Sequence, residues 1–213
     1  MKDTMGKTMG KFTPKDKTLE YYNKNAAEYA KSTLNVDMSN VLDEFVKGLP
    51  PGARVLDLGC GSGRDSKKFV EMGFHVTAVD GSAELCEIAS KTTGLGVRCL
   101  LFQDLDYEEI FDGIWACSSL HHLTRQQLAA ALPKVMKALV PGGLLFTCFK
   151  YGNADFDDER GRHFTCATED TVLDLFSCVN PLIDSSATTI WITGDNLDGR
   201  ELRWVNVIVQ RIN

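Results

Sequence analysis

The sequence predicts one α/β domain wound on both sides of a largely parallel sheet. Three observations carry this. Short apolar runs alternate with helix-patterned segments from Arg54 to Lys150. The runs are apolar at successive positions, as strands covered on both faces require. A glycine loop follows the first run, at a strand–helix junction.

The elements follow in order. The leader MKDTMGKTMGKFTPKDK (residues 1–17) is polar and expected to be a flexible basic tail. Residues 18–213 are expected to form the domain, beginning with two lid helices within 18–48. Leu19, Tyr22, Ala26 and Tyr29 share one face of a helix over 18–31. Val41, Leu42, Phe45 and Val46 do so over 37–47, which Pro50-Pro51-Gly52 ends. Strands are predicted at 54–58, 74–79, 97–102, 113–117 and 144–150. Between them lie a helix over 64–72 stopped by Gly73, one from N-cap Ser82 to about Lys91, and one opened by the Thr124/Gln127 capping box and kinked at Pro133. After Tyr151 the pattern changes to a polar loop over 152–167 and a helix over 168–178. Strands at 188–193 and 203–211, joined by the short GDNLDGRE, are expected to pair antiparallel.

Composition excludes several classes. The chain has 213 residues, is 44% hydrophobic and carries 24% charged residues. That is enough for one full core and cramped for two. No apolar run approaches the ~18 residues of a membrane span, and the leader lacks the apolar stretch of a secretory signal. The expected location is cytoplasmic. Net charge is −6, yet residues 1–31 hold seven lysines against four acids, so the body is strongly acidic. Such a body repels a phosphate backbone, which disfavours nucleic acid as a partner. Seven cysteines are widely spaced, with no C-x-x-C and no zinc-ligand pattern. They read as reduced, mostly structural thiols, with no metal site expected.

The functional signal is Val55-Leu56-Asp57-Leu58-Gly59-Cys60-Gly61-Ser62-Gly63, with Asp80 ending the second strand. A carboxylate at that strand end suits a ribose diol. A dinucleotide site needs G-x-G-x-x-G, but the third position here is Arg64 and the spacing is G-x-G-x-G. Asp57 would also oppose a pyrophosphate and suits an ammonium instead. A ribose and an α-amino group together describe S-adenosylmethionine.

On these residues the chain resembles the class I S-adenosylmethionine-dependent methyltransferases, over about residues 19–150. Phe102-Gln103-Asp104-Leu105 resembles the segment flanking the adenine, with Gln103 or Asp104 at its amino edge. The stretch from Phe111 to Leu123 resembles the fourth-strand motif, and Pro141-Gly142-Gly143 the turn before strand five. Tyr21-Tyr22-Asn23 and Tyr29–Thr33 resemble the lid of small-molecule members. The resemblance implies a Rossmann-like, seven-stranded mixed sheet of order 3-2-1-4-5-7-6 with strand seven antiparallel. It implies S-adenosyl-L-methionine as cofactor, S-adenosyl-L-homocysteine as product and a small-molecule acceptor. The cofactor set it implies is Asp57, Gly59, Cys60, Gly61, Arg64, Asp80, Gly81, Ser82, Gln103, Asp104, Leu105 and Ser118, with Tyr22, Tyr29 and Thr33 from the lid. Size and lid look most like tellurite-resistance-type members.

Catalytic candidates are His122, Lys150 and Arg162. His121 and His122 stand where strand four opens, either as a general base or as packing. Lys150 follows strand five, and Arg160, Arg162 and His163 lie in the polar loop, as an anion site or as solvated charge. Trp191 and Trp204 are expected to pack rather than touch substrate. Ser118-Ser119-Leu120-His121 replaces the N/D-P-P-Y/F motif, which disfavours nucleobase amino groups as acceptors. The rival readings are a non-catalytic S-adenosylmethionine binder or sensor, a protein or RNA methyltransferase using the basic leader, and an NAD-type oxidoreductase, which the glycine spacing opposes.

Overall fold

The structure is a computed structural model that describes residues 15–197 and 200–212. The expected tail therefore lies mostly outside the described residues; its last three, from Lys15, already belong to helix α1 (Lys15–Thr33). Helix α2 (Ser39–Val46) follows, then β1 (Arg54–Leu58), α3 (Arg64–Glu71), β2 (His75–Asp80), α4 (Ala83–Thr93), β3 (Arg98–Cys99), β4 (Phe111–Ala116), α5 (Arg125–Ala138) and β5 (Leu139–Tyr151). The remainder comprises β6 (Phe156–Asp157), β7 (His163–Phe164), β8 (Cys166–Ala167), a 3-10 helix over Val172–Leu182, β9 (Ile183–Leu197) and β10 (Arg200–Arg211).

The main sheet runs β3-β2-β1-β4-β5-β10-β9. Its first five strands are parallel. β10 lies antiparallel to both β5 and β9. With β10 as strand seven and β9 as strand six, this is the expected order and direction. An eighth strand is added: β4 ends opposite Thr147, and beyond it Lys150 and Tyr151 pair with Cys166 and Ala167 of β8. Backbone at an open edge needs hydrogen-bond partners, and the loop returns to supply them.

Both faces are covered. On one, Trp115 stacks on Phe146 at 4.1 Å between ring centroids, with Phe45 of α2 and Phe69 of α3 against it. On the other, Leu128, Leu132, Val135 and Met136 of α5 join Leu56, Ile114 and Leu145 in the larger core.

Several expectations are corrected. Strand three is only Arg98–Cys99, and Phe102–Asp104 form a 3-10 turn instead of its end. The polar loop contains β6, β7 and β8. The helix over 168–178 is a 3-10 helix displaced to Val172–Leu182, and it contains Pro181. Pro133 does not interrupt α5, which continues to Ala138 with its capping box formed. The closing strands absorb most of GDNLDGRE.

Candidate active site

The site lies at the carboxyl ends of β1, β2 and β4, the edge where open α/β sheets bind ligands. Gly59, Gly61 and Gly63 all have positive φ (82°, 55° and 80°). A Cβ on Gly59 would lie 2.4 Å from Cβ of Ser119, and one on Gly61 would lie 3.4 Å from the Tyr29 ring. The loop's N–H groups are tied to β2: Gly59 and Cys60 donate to the Val79 carbonyl at 2.9 and 3.0 Å, and Gly61 donates to Asp80 Oδ2 at 2.8 Å. The other Asp80 oxygen accepts from Ser82 N–H at 2.8 Å. Burial raises the Asp80 pKa against the pull of these donors.

Asp57 is 2% exposed and accepts from Ser66 Oγ at 2.5 Å. Burial, then the nearby Asp65 charge, push its pKa up to about 8, with the Ser66 hydrogen bond opposing them. A carboxyl strained this way gains from a cation placed beside it. Arg64 is held by both oxygens of Asp65, at 2.6 and 2.7 Å, and Asp65 also accepts from the Trp115 indole at 2.9 Å.

Helix α1 covers the loop. Asn25 breaks its helical geometry (φ −114°, ψ 17°) between Tyr22 and Tyr29, whose rings meet edge-on at 5.0 Å. Ser82 Oγ donates to Asn23 Oδ1 at 2.8 Å, fastening the helix to the turn after Asp80. The Thr33 hydroxyl lies 3.4 Å from that of Ser62.

Two cavities meet under this helix. One, of about 390 Å³, is lined by Thr18, Leu19, Asp80, Gly81, Leu100, Leu101, Phe102 and Gln103. The other, of about 400 Å³, is lined by Thr33, Asp57, Cys60, Arg64, His121, Lys150, Arg162, Phe164 and Trp204. Tyr22, Tyr29, Gly59, Gly61, Ser118 and His122 border both.

At that border His122 Nδ1 lies 2.7 Å from the His163 carbonyl, which only accepts, so Nδ1 carries the proton. Its Nε2 then accepts from the Tyr22 hydroxyl at 2.8 Å. Burial holds the His122 pKa down to about 3 and that of His121 well below the usual range, with the Lys150 and Arg162 charges adding to the effect on each. Both imidazoles are therefore neutral near pH 7. Burial also pushes Tyr22 up to about 12.

Residues 55–143, the segment that holds the glycine loop, Asp57 and Asp80, match the family profile described as a methyltransferase domain. The chain has the fold of methyltransferases solved with S-adenosylmethionine or S-adenosylhomocysteine. It is 35% identical over 105 residues to the putative methyltransferase YqeM of Bacillus subtilis (strain 168). That segment is 46% of this chain and 42% of the relative, so the match spans less than half of that protein's length. It is 26% identical over 180 residues to an uncharacterized methyltransferase of Staphylococcus carnosus (strain TM300), covering 78% of this chain and 86% of that one. Its fold is similar to Burkholderia thailandensis 1,6-didemethyltoxoflavin-N1-methyltransferase, solved with S-adenosylhomocysteine, at a TM-score of 0.71 and 19% identity over 97% and 94% of the two chains.

Most of the cofactor and catalytic candidates named from sequence line the two cavities. Three of that set do not. Ser82 is buried as the α4 cap, accepting from Leu85 N–H, Leu105 is in the core, and Asp104 is exposed on the 3-10 turn. Trp204, expected only to pack, lines the second cavity and tilts against His121 at 5.6 Å, whereas Trp191 packs near Phe146. Sequence reading missed Ser119, whose hydroxyl donates to the Leu58 carbonyl at 2.6 Å, and the part that Leu100 and Leu101 play beside Phe102 in the cavity wall. The signal for Ser119 was a second serine beside Ser118, which itself has φ of 50°.

Proposed function

We propose that this chain transfers a methyl group from S-adenosylmethionine to a small-molecule acceptor. The observation that carries it is the pair of cavities sharing one border of Tyr22, Tyr29, Gly59, Gly61, Ser118 and His122. One has the ribose-suited carboxylate; the other has the buried Asp57 and the aromatic and cationic side chains.

The residues present fit the cofactor. The glycine loop leaves space that a Cβ on Gly59 or Gly61 would crowd, and two acidic groups, Asp80 and Asp57, border it with chemistry suited to a diol and an ammonium. In this reading Asp80, with Gly81, holds the ribose, and Gln103 takes the adenine edge beside Phe102. Asp57 neutralises the amino group, with Cys60, Gly61, Arg64 and Ser118 around the methionine portion. Tyr22, Tyr29 and Thr33 close over it. Ser82, Asp104 and Leu105 serve by shaping this wall.

When bound, the cofactor supplies a sulfonium-activated methyl group. The protein aligns the acceptor atom with it and excludes water. Held by Asp57, Asp80 and the glycine loop, the sulfonium would give up its methyl to the acceptor and leave as a thioether that keeps the electron pair. A neutral His122 with so low a pKa is a weak base. The site therefore suits an acceptor that is acidic or already anionic, such as a thiolate, a carboxylate or an acidic phenol. His122 Nε2 fixes the Tyr22 hydroxyl at the border beside such a group; Lys150 and Arg162 stabilise its charge. The acidic body of the chain disfavours nucleic acid as the acceptor, and no helix among the described residues is long and apolar enough to cross a membrane. We place the protein in the cytoplasm, where its free cysteines stay reduced. The tellurite-resistance-type subgroup remains our assignment on lid layout alone.

Calorimetric titration with S-adenosylmethionine and S-adenosylhomocysteine tests the reading first. A radiolabelled methyl-transfer screen over thiols, carboxylates, phenols and tellurite tests the rest. Binding without transfer to any of them favours a sensor; failure to bind either ligand rejects the reading.

A further inference from the structure

We infer that the second cavity takes a flat, apolar molecule bearing a carboxylate, received by Lys150 and Arg162 against the Phe164 ring. This deepens the methyltransferase reading and depends on it only for naming that molecule the acceptor.

The two cations come from different segments. Lys150 is the penultimate residue of β5, and its ammonium lies 3.8 Å from the Phe164 centroid; the Arg162 guanidinium carbon lies 5.2 Å from the same ring. Pairing of β8 with the end of β5 brings the two segments together. Asp158 takes Nε and Nη2 of Arg162 at 2.9 and 2.7 Å. The remaining arm, Nη1, is directed at the Tyr22 hydroxyl at 3.4 Å, on the border of the two cavities. The acids lining this cavity are engaged elsewhere: Asp57 with Ser66, Asp65 with Arg64 and Trp115, Asp37 with Ser39.

The walls beside the cations are flat and uncharged. His121 tilts between Phe164, at 5.3 Å, and Trp204, at 5.6 Å. Both imidazoles feel Lys150 and Arg162, which places the positive potential on this patch. One arm of a guanidinium and one ammonium are matched by two coplanar oxygens, and charge-assisted bonds strengthen where water is excluded.

Benzoate, benzamide and phenyl phosphate share a ring and differ in charge and shape. Each is titrated into the full chain with and without S-adenosylhomocysteine. Benzoate is expected to bind about tenfold more tightly than either of the others, to lose that margin in K150Q and in R162Q, and to keep it in K150R. The inference is overturned if benzamide binds as well, if phenyl phosphate binds more tightly, if benzoate fails to bind at millimolar concentration, or if both glutamine variants keep the margin. Should those variants not fold, magnetisation transfer between the benzoate ring protons and the Phe164 ring in the unsubstituted protein decides: its presence supports the site and its absence overturns it. Failure of S-adenosylhomocysteine to bind rejects the methyltransferase reading alone, and the benzoate arm is still read on its own.

Discussion

The Tyr22 hydroxyl donates to Nε2 of His122 at 2.8 Å, across 100 positions of sequence. The His163 carbonyl fixes the imidazole tautomer, so this lone pair is the one basic site that His122 turns toward the border of the cavities. Replacing Tyr22 with Phe keeps the ring contact with Tyr29 and removes the donor. Folding stability is expected to change by no more than about 1 kcal/mol, with kcat falling more than cofactor affinity. Single-turnover kinetics beside cofactor titration separates the two, and an equal loss in both would assign the hydroxyl to cofactor binding.

Asp57, with a pKa of about 8 against an ordinary 3.8, is mostly protonated at neutral pH. A raised carboxyl pKa costs the folded state stability as pH rises from about 4 to about 8. A bound ammonium lowers that pKa, so cofactor binding below pH 8 releases a proton. Affinity is expected to climb with pH and level off near pH 8. Calorimetry in buffers of different ionisation enthalpy reads the proton directly, and Asp57→Asn should abolish it.

Asp57→Ala and Asp80→Ala are each expected to weaken S-adenosylmethionine binding tenfold or more, about 1.4 kcal/mol or above. Unchanged affinity in both variants would remove the assignment of the cofactor site, which spans the two cavities.

Gly59→Ala forces a side chain into φ 82° and puts its Cβ 2.4 Å from Cβ of Ser119. The expected cost is at least about 1 kcal/mol of stability together with loss of cofactor binding. Thermal unfolding with and without S-adenosylhomocysteine measures both; a ligand-induced rise equal to that of the unsubstituted protein would contradict it.

The parallel half of the fold, strand three apart, was legible because strands such as Arg54–Leu58 are short, mostly apolar runs closed by glycine or a capping residue. The glycine loop with Asp57 and Asp80 was legible for the same reason, since its partners are near in sequence. Local pattern carries less where pairing is distant. Cys166 and Ala167 become a strand only because β4 stops short and exposes Lys150 and Tyr151. Trp204 enters the second cavity because β10 is held in register by β5, opposite Lys150. Strand three shortens because the chain turns at Phe102 to form a cavity wall, and its apolar residues line a pocket as well as any strand would. Periodicity cannot separate those two uses of Leu100, Leu101 and Phe102.

The insertion of β10 between β5 and β9 constrains the order of events during synthesis. β9 emerges from the ribosome before the strand that gives it a place to dock. Until β10 arrives, the β5 edge and all of β9 present unsatisfied backbone, the kind of surface on which nascent chains aggregate. Chaperone dependence of this protein should therefore concentrate in the interval when residues 183–211 are leaving the exit tunnel.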